Sequence, residues 1–165
     1  IGQQISTAAQ ATIWSRLLSA AGTVTADSLT ALGRDRLQRI GMTYKKADYI
    51  LDFAKQVQNG TLNLEQLWSL SDEEVIRELT KLKGVGVWTA EMILTFCMQR
   101  PNVVSFGDLA IQRGMRMLYR HRQIDRTKFE RYQKRYAPYG TVASLYLWAI
   151  AGGAIPELTD PAGKK

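Results

Sequence analysis

Apolar residues recur every three to four positions along nearly the whole chain, and this spacing limits the possible folds more than any other feature. The period matches the roughly 3.6 residues of an α-helical turn, so each run predicts a helix with one buried face. No stretch shows the sustained apolar–polar alternation of a half-buried strand. The sequence therefore predicts an all-α fold of about ten short helices with tight connections.

Start and stop signals place several of these helices along the chain. Ser6 precedes the first apolar run, and Gly60 ends the run around Ile50. Residues 71–74, with the sequence SDEE, form a capping box, in which the serine and the last glutamate bond to each other's main-chain amides. Further helices are predicted over residues 87–98, from near residue 108, and around residues 143–151.

The length of 165 residues suits one domain or two small lobes around a cleft. We expect residues 1–155 to form the folded domain, with residues 1–20 and 101–165 in one lobe and the middle of the chain in the other. Residues 156–165 hold two of the four prolines and end in Gly-Lys-Lys, which predicts a loosely packed tail. Because the chain opens at Ile1 inside a helical pattern, without an initiator Met, we expect it to be truncated at its N-terminus.

The chain has a single cysteine, Cys97, and a single histidine, His121. These two residues cannot build a disulfide, a Cys/His zinc site or a four-cysteine iron–sulfur cluster within the chain. Cys97 stands among Ile93, Leu94 and Phe96, so we predict a buried core thiol and a reducing compartment. No cofactor is expected to be required. No apolar run is long enough to span a bilayer, so no membrane partner is expected.

Positive charge exceeds negative charge, with 22 Lys and Arg against 15 Asp and Glu, for a formal charge of +7. The excess is concentrated between Arg113 and Arg135, where the only acidic residues are Asp125 and Glu130. Such a cluster is typical of a protein that binds a polyanion such as nucleic acid. The alternative is an ordinary solvated helix face.

Two of the predicted helices are separated by the segment LKGVG, residues 82–86. Glycines at the third and fifth positions allow a positive φ and leave no side-chain bulk, so main-chain amides can approach a phosphate at the start of the next helix. Leu82 and Val85 would anchor this turn to the core. An ordinary helix-to-helix turn is the alternative, but the Trp-Thr-Ala that follows makes the pattern more specific.

Three segments resemble one family. Residues 82–90, LKGVGVWTA, resemble the helix-hairpin-helix of the DNA glycosylase superfamily. Residues 1–6, IGQQIS, and the alanines that follow resemble the start of its alkylation-repair branch, the 3-methyladenine DNA glycosylase II family, and residues 104–113, VSFGDLAIQR, resemble the catalytic segment. The resemblance covers nearly the whole chain and implies that family's fold, with double-stranded DNA containing damaged bases as the partner.

Asp108 begins a predicted helix after a loop, which by itself indicates a helix N-cap. The resemblance implies instead that Asp108 is catalytic. Breaking an N-glycosidic bond builds positive charge on the sugar, and a fixed carboxylate can stabilise that charge and orient or deprotonate water. An alkylated purine is already positively charged and leaves readily, so modest help suffices.

Trp88 stands where bifunctional members of the superfamily, which also cut the strand, carry a lysine that forms a Schiff base with the sugar. Tryptophan cannot do so, and the resemblance therefore implies a monofunctional enzyme that leaves an intact abasic site. An electron-poor base stacks well on aromatic faces. By resemblance, the candidates for the base pocket are Trp88, Trp148, Met92 and Tyr44. For Trp148, simple core packing is an equal alternative.

The resemblance also implies contacts with DNA. The candidate backbone contacts are Lys83, Gly84, Val85, Gly86, Thr89, Arg113 and Arg116, with Lys45 and Lys46 as further phosphate candidates. Gln3 and Gln4 match the position from which the family inserts a wedge into the gap left by a flipped base; a polar helix end is the alternative. The main-chain carbonyls of Thr80, Leu82 and Val85 match a structural Na⁺ or K⁺ site. Lys83 departs from the usual proline, which makes the turn less rigid and adds a cation.

The sequence thus predicts a monofunctional DNA N-glycosylase that excises alkylated purines such as 3-methyladenine in base-excision repair. We expect a monomer associated with DNA inside the cell, in the bacterial cytoplasm and nucleoid or in a eukaryotic nucleus. Two alternatives stay open: a glycosylase of the same superfamily for mismatched or oxidised bases, and a non-catalytic helix-hairpin-helix module that only docks on DNA.

Overall fold

The computed structural model describes residues 1–163, and every regular element in that range is helical, which confirms the predicted all-α class. The α-helices are α1 (Thr7–Ala21), α2 (Ala26–Arg39), α3 (Tyr44–Gln58), α4 (Leu64–Leu67), α5 (Asp72–Leu79), α6 (Val87–Met92), α7 (Leu109–Tyr119), α8 (Arg126–Tyr136) and α9 (Gly140–Ala151). A π-helical segment (Ile93–Cys97) continues α6, and a short 3₁₀ turn lies at Pro161–Gly163. None of the helices within residues 1–163 is both long and apolar enough to cross a membrane.

The helices form two compact units. The first unit consists of Ile1–Leu70 and Thr80–Val85, and the second consists of Ser71–Leu79 and the chain from Gly86 onwards. The prediction that residues 1–20 pack with residues 101–165 is therefore wrong, because α1 belongs to the first unit. Its buried Leu17 joins a core cluster formed with α2 and α3.

Local capping signals begin the helices where the sequence predicts. Ser6 accepts a hydrogen bond from the amide of Ala9 at 3.2 Å, which starts α1. The capping box at residues 71–74 is also confirmed, since Ser71 and Glu74 each accept a bond from the other's main-chain amide.

The core of the second unit forms where α7 crosses α9. Ile111 and Met115 on α7 pack with Leu147 on α9 in one buried cluster. Gly114 lies in the interior of α7, where glycine ordinarily weakens a helix by about 1 kcal/mol relative to alanine. A Cβ at this position would stand 2.3 Å from the carbonyl oxygen of Leu147, so the glycine permits the close crossing. This crossing fixes the position of α7 and therefore of Asp108, the residue that caps its N-terminus.

The helix predicted over residues 87–98 changes its winding partway along. The amide of Met98 bonds to the carbonyl of Ile93, five residues earlier, which is the pattern of a π-helix. The wider turn changes which residues face the core, so Thr95 is buried whereas Phe96 and Cys97 are exposed. The prediction of a core thiol at Cys97 is therefore wrong, because apolar neighbours in the sequence do not fix which side of this turn faces the core.

Candidate active site and DNA-binding hairpin

Asp108 is the N-cap of α7, as its position before a predicted helix indicates. Its Oδ1 accepts hydrogen bonds from the main-chain amides of Ala110 and Ile111, both at 2.9 Å. The N-terminal end of a helix carries partial positive charge, which favours a carboxylate at this place. Capping occupies one carboxylate oxygen and leaves the other for a different partner.

That partner is Trp88, on the first turn of α6. Its indole Nε1 donates a hydrogen bond to Oδ2 of Asp108 at 2.8 Å. Three donors thus fix the carboxylate of Asp108. This residue is only 7% exposed, whereas Trp88 is 45% exposed. The structure therefore brings the predicted catalytic residue and the first predicted pocket residue into direct contact. The arrangement holds a negative charge beside an accessible aromatic side chain.

A second carboxylate lies one turn further along α6. Glu91 is half-buried and accepts a hydrogen bond from the hydroxyl of Ser105, which is 1% exposed. The pKa of Glu91 is raised above its usual value, mainly because the carboxyl is partly buried, and the negative charge of Asp108 acts in the same direction. The bond from Ser105 and the positive charge of Arg126 oppose this rise. Sequence reasoning missed both Glu91 and Ser105. The available signal was their spacing, since Glu91 is three residues after Trp88 and Ser105 three before Asp108.

The remaining pocket candidates of the second unit lie on or against the same helical segment. Met92 is half-buried, one turn after Trp88. Trp148, on α9, is partly buried against the core cluster and stacks on Phe96, with ring centroids 5.6 Å apart and an angle of 17° between the planes. Phe96 is 60% exposed and was not predicted as a pocket residue.

Tyr44 belongs to the first unit, at the start of α3. The guanidinium of Arg34 lies 4.3 Å from its ring centroid, in a cation–π contact. Arg34 is in turn paired with Asp48, with Nε and Oδ1 2.6 Å apart. Of the four predicted pocket residues, Tyr44 is thus the one with a cation stacked on its ring.

The hairpin turn depends on Gly84. Its φ is +84°, and a Cβ built there would stand 2.3 Å from Cδ2 of Tyr49, so both the backbone conformation and the space require glycine. The turn is closed by a bond from the amide of Val85 to the carbonyl of Leu82, which is buried as predicted. The side chain of Lys83 is largely exposed, with Nζ 3.8 Å from Oδ1 of Asp52.

Gly86 differs from Gly84 although the sequence places both in the same motif. Its backbone is extended, with φ −96° and ψ 176°, and it is the N-cap of α6 without a side-chain cap. A Cβ there would meet nothing within 4 Å. The fold of this chain therefore does not require glycine at position 86. The space beside this residue is open to an approaching ligand. Thr89, on the first turn of α6, is half-buried.

The two N-terminal glutamines, which were predicted together, differ in orientation. Gln3 donates from Nε2 to the carbonyl of Gly84 at 3.1 Å, which connects this turn to the hairpin. Gln4 is exposed and has a φ of +58°, a left-handed conformation that is uncommon outside glycine. Lys46 donates from Nζ to the carbonyls of Ile1 and Gln3, at 2.9 and 2.7 Å. Two of the three N–H groups of this ammonium are therefore bonded within the chain, and the phosphate contact at Lys46 stays a prediction.

Arg116 is paired within the chain. Its guanidinium forms two hydrogen bonds with Asp160, at 3.0 and 2.6 Å, and Nε of Arg113 lies 3.6 Å from the same carboxylate. These bonds lower the pKa of Asp160. The charge of Arg116 is thus already neutralised, whereas Arg113 is half-exposed. Asp160 lies in the segment predicted to be a loose tail, and the ion pair attaches this residue to α7. Residues 164–165 of the predicted tail lie outside the described residues.

The remainder of the basic cluster lies mainly on α8. Arg126 pairs with Glu130 and Lys128 pairs with Asp125, each at 2.9 Å. Arg131 and Arg135 both lie 5.5 Å from the ring centroid of Tyr132. Part of the predicted excess of charge is therefore balanced by acidic neighbours.

The chain is similar to known DNA-repair proteins in sequence. The family model described as HhH-GPD superfamily base excision DNA repair protein matches residues 1–138. DNA-3-methyladenine glycosylase 1 of Schizosaccharomyces pombe is 32% identical over 131 residues, which cover 78% of this chain and 57% of that protein. The chain spans about half the length of the curated relatives that it matches.

The fold is similar to solved structures of the same family. The DNA-3-methyladenine glycosidase of Bacillus halodurans superposes with a TM-score of 0.83 and 36% identity, over 94% of this chain and 73% of that one. The Schizosaccharomyces pombe 3-methyladenine DNA glycosylase Mag1, in complex with abasic DNA, gives a TM-score of 0.79 and 29% identity, over 95% and 78%. These similarities confirm the predicted glycosylase fold and the resemblance to the 3-methyladenine branch. Because the family model matches most of its length, the chain belongs to the HhH-GPD superfamily of base excision DNA repair proteins.

Proposed function

We propose that this chain is a monofunctional DNA N-glycosylase that removes alkylated purines such as 3-methyladenine from double-stranded DNA by hydrolysis. We propose further that it acts as a monomer in the compartment that contains the cell's DNA. The names of the relatives support the substrate class. The observation that carries the proposal is the Asp108 carboxylate, bonded by two main-chain amides and by the indole of Trp88.

The proposed chemistry needs a fixed negative charge. As the bond from the sugar to the base breaks, positive charge develops on the sugar, and the Asp108 carboxylate stabilises it and orients the attacking water. Two unit charges about 4 Å apart at an effective permittivity of about 20 interact by about 4 kcal/mol. That energy corresponds to roughly a thousandfold in rate. An alkylated purine carries positive charge before it leaves, so this help suffices.

Trp88 supports the restriction to base removal. A strand-cutting member of the superfamily needs an amine that forms a Schiff base with the sugar, and the indole of Trp88 cannot supply one. Its N–H is instead bonded to Asp108. The exposed part of the same side chain is available to stack on a flipped, electron-poor base.

The hairpin and the N-terminal turn are the proposed DNA contacts. The amides around Gly86 start α6 where no side chain obstructs a phosphate. Gln4 is the better candidate for the wedge because it is exposed and Gln3 is bonded to the hairpin. Arg113 and Lys83 remain proposed phosphate contacts.

The carbonyls of Thr80, Leu82 and Val85 are proposed to hold Na⁺ or K⁺. Uncharged carbonyl oxygens suit a monovalent cation, and within residues 1–163 no group of three or more acidic, His or Cys residues is placed to hold a metal. Comparing DNA affinity in potassium chloride and in an equal concentration of tetramethylammonium chloride tests this, because the ionic strength is the same. Equal affinities would contradict the proposal.

One assay tests the proposed function as a whole. Duplex DNA containing methylated purines is incubated with the protein, and the released bases and the strand length are both measured. We expect free alkylated purines and a strand that stays intact until alkali is added. Strand cleavage without alkali would contradict the monofunctional assignment. Release from oxidised or mismatched duplexes alone would change the substrate class, and binding without any release would favour a docking module.

A further inference from the structure

Two hydrogen bonds connect α6 to the loop that leads into α7. Trp88 donates to Asp108, and one turn later Glu91 accepts from Ser105. Trp88 and Glu91 are three positions apart on α6, and Asp108 and Ser105 are three positions apart in the chain before α7. The two bonds therefore lie next to each other, and we call the bond at Trp88 the first rung and the bond at Glu91 the second rung. The second rung has no part in the proposed chemistry, although it lies next to the residue that carries it.

Ser105 links this second rung to Asp108 through the main chain. Its hydroxyl donates to Glu91, and its carbonyl lies 3.4 Å from the amide of Asp108. Ser105 is almost completely buried and follows the buried Val104. A loop held at this residue can place the Asp108 carboxylate at one position relative to α6.

We propose that Glu91 is a positioning residue, whose bond to Ser105 fixes the loop that presents Asp108. This inference rests on the proposed function, since it assigns Glu91 a part in the reaction of Asp108. Glu91 does not itself touch the reacting atoms. Its contribution is the distance and orientation of the Asp108 carboxylate relative to Trp88.

Glu91 contributes both a hydrogen-bond acceptor, which bonds to Ser105, and a half-buried charge. Burying a carboxylate is costly, and burial raises the pKa of this one. Asp108, at the start of α7, repels its negative charge, and Arg126, on α8, attracts it. A neutral acceptor could bond to Ser105 without this cost. The glutamate therefore offers two separable properties, a hydrogen-bond acceptor and a charge, and we assign the positioning role to the acceptor.

Three variants separate the two properties. Glu91→Gln keeps an acceptor for Ser105 and removes the charge, whereas Glu91→Ala and Ser105→Ala each remove the bond. Glu73→Ala, which removes an exposed carboxylate of the same unit, is the matched control. The first readout is the NMR resonance of the Trp88 indole N–H, identified by its loss in Trp88→Phe. This resonance reports the bond to Asp108 without requiring any activity.

We expect the resonance to move in Glu91→Ala and Ser105→Ala, and to keep its wild-type position in Glu91→Gln and Glu73→Ala. In single-turnover base release, Glu91→Ala and Ser105→Ala should each be about a hundredfold slower than the wild type, which is the effect of a misplacement of about 1 Å. Their DNA affinity should change little. The double alanine variant should be no slower than either single one. Glu91→Gln should restore most of the rate.

An unmoved resonance in both alanine variants would overturn the proposal. An equal loss of rate in Glu91→Gln and Glu91→Ala would also overturn it, because the effect would then come from the charge and not from the acceptor. If an alanine variant fails to fold, Glu91→Gln and the other alanine variant still separate acceptor from charge. If the wild-type protein releases no base but the alanine variants shift the resonance, the proposed function is contradicted, and the only part of the inference that stands is that the Ser105–Glu91 bond fixes the Asp108 carboxylate.

Discussion

Replacing Asp108 with asparagine is expected to slow base release from methylated duplex DNA by about a thousandfold. The variant loses the negative charge, which at about 4 Å and an effective permittivity of about 20 is worth about 4 kcal/mol. Asparagine can still accept bonds from the amides of Ala110 and Ile111, so α7 keeps its cap. Its amide nitrogen would face the indole N–H of Trp88, donor against donor. Single-turnover rates at saturating enzyme measure the effect.

The matched control is Asp125→Asn. Asp125 is the N-cap of α8 and accepts a bond from the amide of Lys128 at 2.8 Å, so it has the same residue type and capping role as Asp108. It should release bases at the wild-type rate. If Asp108→Asn is as active as Asp125→Asn, then Asp108 is only a cap and the catalytic assignment fails.

Gly84→Ala is expected to weaken both the fold and the binding of DNA. The positive φ costs a side chain about 1–2 kcal/mol, and the collision of Cβ with the ring of Tyr49 adds about 1–3 kcal/mol. The free energy of unfolding, measured in urea, should fall by a similar amount. Displacing the hairpin should reduce DNA affinity about tenfold, or about 1.4 kcal/mol. The salt dependence of binding should fall by no more than the contribution of Lys83, since the amides of the hairpin release no counterions.

Two further glycines separate strain from contact. Gly22→Ala introduces the same kind of backbone strain, at a φ of +68°, in open space and outside the hairpin, so it should lower stability without lowering DNA affinity. Gly86→Ala should leave stability unchanged and lower affinity, because its Cβ would obstruct only an approaching ligand. Wild-type affinity in Gly86→Ala would mean that the hairpin is not the DNA contact.

Much of the local structure could be predicted from the sequence because it depends on residues close together in the chain. Helical periods, the caps at Ser6 and Asp108, and the capping box at residues 71–74 all involve partners within four positions. The positive φ at Gly84 follows from the same local chemistry. The π-helical turn after Met92 could not be predicted, since the apolar period beyond it still matches an α-helix.

The pairing of side chains far apart in the chain was decided by the tertiary structure. Lys46 caps the N-terminal turn from about forty residues away, and Arg116 is neutralised by Asp160 from a similar distance. The spacing of Glu91 from Trp88 and of Ser105 from Asp108 indicates that the two residues are near the site, but it does not predict their bond, which exists only where α6 lies beside the loop that precedes α7. The sequence by itself determined the helices, the hairpin and the family. Only the packing of the helices decided that the indole N–H of Trp88 bonds to Asp108. Such a bond depends on where two elements of the structure meet, and no local sequence pattern predicts that position.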